Sequence, residues 1–177
     1  FDTAYSYTGG ESERILGPLV APVADDILVA TKAPNDRPPS AQNLRASYEE
    51  SRKRLGIDVI DLYYLHRFDA ETAMEETFGT LADMQSRGMI RHIGVSNFAA
   101  WQIMKAQAVC AKFGTQIDVC QPMYNLVKRQ VEVEILPACE DQDIAVCPFS
   151  PLGGGLLTGK YVDGAAGRLK DDRTYAA

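Results

Sequence analysis

Six short apolar runs recur along this 177-residue chain, each alternating with one helix-like amphipathic stretch, and that alternation restricts the fold more than any other feature. The clearest run covers residues 59–66 (VIDLYYLH), apolar and aromatic until it stops at a histidine. Such a run suits a strand buried on both faces of a parallel sheet. Comparable runs fall at 1–4, 27–32, 90–96, 117–121 and 144–149. Their ends carry Asp2, Lys32, His66, Ser96, Gln121 and Phe149. The ends recur roughly every 25 to 34 positions, the length of one βα unit.

The intervening stretches read as helices with legible ends. One is expected over 11–19, after a Gly-rich turn. Ser40 is a good N-cap for a second helix, whose face is Leu44, Tyr48, Ser51 and Leu55 and whose stop is Gly56. A third is expected over 71–87, with Met74, Phe78 and Leu81 inward, acidic Glu71, Glu75 and Glu76 in its first turns, and Gly88 closing it. The fourth places Trp101, Met104 and Ala108 at core spacing, and a fifth spans 133–142 with Pro137 near its start.

Six βα units in series fit a doubly wound sheet or a (β/α)8 barrel. The barrel is favoured because every strand ends in a polar or aromatic residue, and in a barrel all strand ends meet at one mouth. In a doubly wound sheet only the strands beside the crevice need such residues, and no G-x-G-x-x-G follows the first run. The expected architecture is therefore an α/β TIM barrel, with six strands read in a single domain over residues 1–177.

Charge and cysteines narrow the function classes. The formal net charge is −6 without a Lys/Arg block, which argues against nucleic acid or an anionic membrane as partner. Cys110, Cys120, Cys139 and Cys147 form no C-x-x-C pair and read as reduced thiols of a cytoplasmic protein, with no metal site.

Asp2, Tyr7, Lys32 and His66 come from three successive units and face a common mouth. A phenol is a poor acid near neutrality unless a nearby cation favours its anion. A carboxylate holds that cation in place, and an imidazole can orient a carbonyl oxygen. Together the four groups suit proton donation to a developing alkoxide. Singly, each has a plainer reading: a turn aspartate, a loop tyrosine, a solvated strand-end lysine, a satisfied buried histidine.

These residues sit in recognisable surroundings. Asp2-Thr3-Ala4 with Tyr7, then Gly10-Glu11-Ser12-Glu13, resembles the second-strand motif of the aldo-keto reductases. The likeness continues through Thr31-Lys32, Leu65-His66, Gly94-Val95-Ser96-Asn97-Phe98, Gln121-Pro122-Met123-Tyr124-Asn125 and Ser150-Pro151-Leu152. The resemblance implies a (β/α)8 barrel that uses NADP(H) to reduce a carbonyl compound to an alcohol. It makes the opening run the second strand, so residues 1–177 are expected to be an incomplete barrel, with about strands 2 to 7 present and truncated at both ends, and such a six-strand piece is not expected to be a competent enzyme by itself. It implies Tyr7 as general acid/base, supported by Asp2, Lys32 and His66. It also implies Ser96, Asn97 and Gln121 on the nicotinamide carboxamide, Phe149 stacked on the nicotinamide, and Ser150, Leu152 and Lys160 in the loop over the pyrophosphate. The preference for NADP over NAD comes from the resemblance alone. A non-catalytic alternative on the same scaffold resembles the potassium-channel beta subunits, which differ at the histidine and at the Ser-Asn pair that this chain keeps.

Overall fold

The structure, a computed structural model, describes residues 1–162, 164, 166 and 167. Among these residues lie five parallel strands, β1 (Ala30–Lys32), β2 (Ile60–Leu65), β3 (Ile90–Ser96), β4 (Val119–Gln121) and β5 (Ala145–Val146). They alternate with helices α1 (Glu11–Val20), α2 (Ala41–Leu55), α3 (Met74–Ser86), α4 (Ala100–Lys112) and α5 (Ile135–Asp141).

Strand order follows chain order, β1-β2-β3-β4-β5, with no reversal. A doubly wound sheet needs such a reversal, whereas a barrel winds in one direction. The opening segment joins the β1 edge in parallel through the Asp2–Ala30 bridge, with Thr3 N donating to Ala30 O at 2.9 Å and Tyr5 N to Lys32 O at 3.1 Å. The sheet also curls. In a flat sheet that segment would lie about 19 Å from β4, four strand spacings of ~4.8 Å. Yet Gln121 Nε2 on β4 donates to Asp2 Oδ2 at 2.8 Å. The arrangement is an open arc of a (β/α)8 barrel.

Several elements are shorter than expected. The sixth run forms only the two-residue β5 plus an isolated Met123–Phe149 bridge, because Pro148 between them has no N–H to donate. Helix α3 starts at Met74, leaving Glu71 in a turn where Asp69 Oδ2 accepts from Thr72 N at 2.7 Å. The inward face expected for α4 is wrong. Trp101 and Met104 are exposed, and Ile103, Ala106, Val109 and Cys110 are buried instead. Two apolar stripes run along that helix. The Trp101 stripe turns to the rim, where its ring meets Phe68 edge-on at 5.8 Å.

The outer core packs the helices against the sheet. Leu44, Tyr48 and Leu55 of α2, Phe78, Leu81 and Met84 of α3, and Ile103 and Cys110 of α4 cover Ile60, Tyr63, Ile90 and Ile93. Ser40 caps α2 through Asn43 N, and Gly56 ends it at φ 67°, as the sequence predicts. Two carboxylates pin neighbouring strands: Asp61 accepts from Val29 N at 2.8 Å and Asp118 from Ile93 N at 2.9 Å.

On the inner face, Tyr64 lies opposite Lys32 on one side and Gly94 on the other. A Cβ at Gly94 would stand 2.3 Å from Tyr64 Cδ1, so only glycine lets that ring lie across the sheet. The ring in turn supports the Lys32 ammonium, 5.5 Å from its centre. Gly94→Ala is therefore expected to destabilise the full-length protein by about 1–3 kcal/mol, the usual cost of overpacking. Urea unfolding measures it, and a change within about 0.5 kcal/mol would mean that Tyr64 moves aside freely.

Candidate active site at the strand ends

At the carboxyl ends of the strands, most of the residues singled out above form one connected group. Lys32 is fully buried and forms an ion pair with Asp2, and its Nζ also donates to Thr3 O at 2.7 Å. The ammonium is 5.1 Å from the centre of the Tyr7 ring, and that ring meets His66 edge-on at 5.8 Å. Asp2 is held from its other side by Gln121. Ser96 Oγ donates to Gln121 O at 2.9 Å, and Asn97 Nδ2 donates to Ser96 Oγ at 3.1 Å and to His66 O at 3.0 Å. The group thus runs Asn97, Ser96, Gln121, Asp2, Lys32, Tyr7, His66, with a contact at each step.

Local backbone explains how two members are aimed. Tyr7 opens a tight turn, Tyr7–Gly10, in which Thr8 and Gly9 adopt φ values of 50° and 66°. That reversal leaves the tyrosine 42% exposed over the sheet while α1 begins immediately behind it. Asn97 sits just past β3 at φ 57°, a left-handed conformation asparagine tolerates, and so its amide folds back over the strand end.

Tyr5 is separate from this group. Its hydroxyl donates to Glu50 Oε2 at 2.6 Å, and that bond, with burial second, raises its pKa above the usual phenol value. The guanidiniums of Arg54 and Arg37 lie over its ring at 4.5 and 5.4 Å.

His66 is neutral. Burial, and next the Lys32 cation, push its pKa down to about 4. Its Nδ1 is buried without a hydrogen-bond partner among the described residues. The folded value lies below the ordinary ~6.5, so the unfolded chain binds this proton more readily. The associated stability is fully present above about pH 6.5 and is lost as pH falls towards 4. Unfolding titrations over that window should show a steeper acid decline for wild type than for His66→Gln. Parallel curves would contradict the buried neutral histidine.

Phe149 and Ser150 line the open cavity above Asp2 and Tyr7. Phe149 is held in the extended sheet by donating its N–H to Pro122 O at 3.0 Å, and Asn125 Nδ2 donates to Ser150 O at 3.0 Å. Leu152 and Lys160 lie farther along. Leu152 is 54% exposed beside the Gly153–Thr158 turn, and Lys160 Nζ rests 5.0 Å from the Tyr161 ring centre. No contact among the described residues joins either of them to the group around Tyr7.

Sequence reasoning missed two features. Glu13, fully buried in α1, accepts from Thr31 Oγ1 at 2.7 Å and pairs with Arg54 of α2 at 3.1 Å, tying the Tyr7 turn to the next unit. Glu13 belongs to the Gly10–Glu13 motif, but its partner lies 41 positions away and leaves no local pattern. The second is a cleft beside His66, walled by the proline-dense loop after β1 and bearing Arg37 and Arg67.

A one-directional parallel arc with this polar group at its mouth is the strand-end arrangement of a (β/α)8 barrel, and comparison with known proteins supplies the family. The family model described as "Aldo/keto reductase family" matches residues 1–175, and the chain belongs to that family. It is 37% identical over 166 residues to the mouse aflatoxin B1 aldehyde reductase member 2, covering 90% of this chain and 45% of that protein. It is 38% identical over 168 residues to human aldo-keto reductase family 7 member A3, covering 90% and 50%. The Escherichia coli K12 L-glyceraldehyde 3-phosphate reductase is 33% identical over 178 residues, covering 93% and 51%. The chain spans about half the length of the curated relatives it matches.

Proposed function

We propose that the full-length protein reduces an aldehyde or ketone to an alcohol with NADPH, and that Tyr7 donates the proton. Family membership supports the carbonyl oxidoreductase class. Both aflatoxin B1 aldehyde reductase and L-glyceraldehyde 3-phosphate reductase are named for aldehydes, and aldehydes are the proposed first choice of substrate. The observation that carries the reading is Tyr7 standing between Lys32 and His66 while Tyr5 is committed to Glu50.

A bound dihydronicotinamide supplies the hydride that such a site itself lacks. The residues present fit that group. Phe149 offers an aromatic face beside Asp2 and Tyr7, and Asn97 and Gln121 bring amides to the same mouth. Asn97 Oδ1 has no partner among the described residues and is available to a carboxamide. Ser96 sets the direction of Asn97 through its hydroxyl, and Ser150, Leu152 and Lys160 are assigned to the pyrophosphate loop.

As the carbonyl carbon gains the hydride, its oxygen takes the Tyr7 hydroxyl proton. The Lys32 ammonium, held by Asp2, stabilises the phenolate that remains, and solvent returns a proton to the phenolate oxygen. Neutral His66 directs the carbonyl oxygen toward Tyr7 without competing as an acid. Four unpaired thiols, three of them buried, support a reducing, cytoplasmic setting. Among the described residues no helix is long and apolar enough to cross a membrane.

The test is NADPH oxidation by the full-length protein against a panel of aldehydes, ketones and sugars. Turnover of at least one carbonyl class is expected. Tight NADPH binding with no oxidation across the panel would sink the reductase reading and favour a regulatory subunit on this scaffold.

A further inference from the structure

We infer that the cleft beside His66 receives an anionic group on the substrate, a carboxylate or a phosphate, with Arg67 as its principal ligand and Arg37 as the second. The inference rests on the reductase reading, because it places the charged tail one residue from the histidine that orients the carbonyl. The cleft measures about 170 Å3, room for several atoms beyond a single water of roughly 30 Å3. Pro34, Pro38 and Pro39 stiffen one wall, and the turn from His66 to Asp69 forms the other.

The charges in this cleft are unequally committed. Asp69 already accepts from Thr72 N at 2.7 Å. Asp36 is the neighbour of Arg37 and makes one long contact with it at 3.4 Å. Arg37 keeps most of its donors free while its guanidinium lies 5.4 Å from the centre of the Tyr5 ring. Arg67 makes no ion pair and no side-chain hydrogen bond among the described residues, although acidic groups outnumber basic ones across the chain, 24 to 18. An arginine fork with five uncommitted donors, set at the edge of a rigid cleft, matches the planar or tetrahedral oxygens of carboxylate and phosphate. The same cation contributes to holding His66 neutral, which couples the tail site to the reacting end.

The experiment compares para-formylbenzoate, para-formylphenyl phosphate and the methyl ester of the benzoate as substrates of the full-length protein. Calorimetry on the corresponding alcohols runs alongside. Wild type should favour at least one anionic compound over the neutral ester by about tenfold or more in kcat/KM and in affinity. In Arg67→Met that ratio should fall towards one, Arg67→Lys should restore part of it, and Arg37→Met should reduce it less. The carboxylate and phosphate arms tell which anion the cleft takes. Equal handling of neutral and anionic compounds by wild type, or a preference that survives in both methionine variants, would overturn the inference while leaving the reductase reading intact. Arg67-dependent binding of the anionic alcohols without any turnover would do the reverse.

Discussion

Arg54→Ala is expected to destabilise the full-length protein by about 3–5 kcal/mol, the usual penalty for leaving one charge of a buried pair alone. Glu13 is fully buried, and the Arg54 side chain is 10% exposed. With arginine present, Nη1 donates to Glu13 Oε2 and to Tyr5 O, each at 3.1 Å, and a second nitrogen pairs with Glu50. Without it, Glu13 keeps only the Thr31 hydroxyl. The close packing around the pair narrows any repair: a Cβ at Gly17 would stand 2.3 Å from Arg54 O, so α1 already touches the α2 backbone. Urea unfolding measures the loss. Adding Glu13→Gln to Arg54→Ala should recover part of it, because a buried amide costs less than a buried carboxylate. A loss below about 1 kcal/mol would mean the pair is solvated. Turnover should fall as well, since Arg54 holds the Tyr5 carbonyl two residues before Tyr7.

Tyr7→Phe should lower turnover by about 10²–10⁴, the contribution typical of a positioned general acid, with NADPH affinity nearly unchanged. The ring stays, so its edge contact with His66 and its place beside Lys32 persist, and only the hydroxyl is removed. Tyr5→Phe is the matched control. It removes the hydrogen bond to Glu50, so a modest stability loss of about 0.5–1.5 kcal/mol is expected, with turnover largely kept. If Tyr5→Phe abolished activity and Tyr7→Phe did not, the assignment of the proton donor would be reversed.

Spacing from Asp2 and the glycine turn point to Tyr7 in the sequence, because a turn constrains side-chain direction locally, and the structure brings its ring beside Lys32 and His66. Strand ends were legible for the same reason: an apolar run that stops at Lys32, His66 or Gln121 marks its own boundary. The contact that brings Gln121 to Asp2 and the Glu13–Arg54 pair were not legible, since each depends on residues far apart in the chain. On α4 the sequence offered two apolar stripes of similar strength. Only the packing of Phe68 against Trp101 and of Ile103 into the core decides between them.

The central claim is that hydride and proton reach a carbonyl at the mouth defined by Tyr7, Lys32 and His66. Its most direct test is isotope transfer: the full-length protein is given NADPH carrying deuterium at both hydrogen positions of C4 of the nicotinamide and an aldehyde that it turns over. The product should carry one deuterium on the carbinol carbon in wild type, and formation of that alcohol should fall by at least about 10² in Tyr7→Phe. An alcohol without deuterium, or labelled alcohol formed equally fast by Tyr7→Phe, would contradict the account.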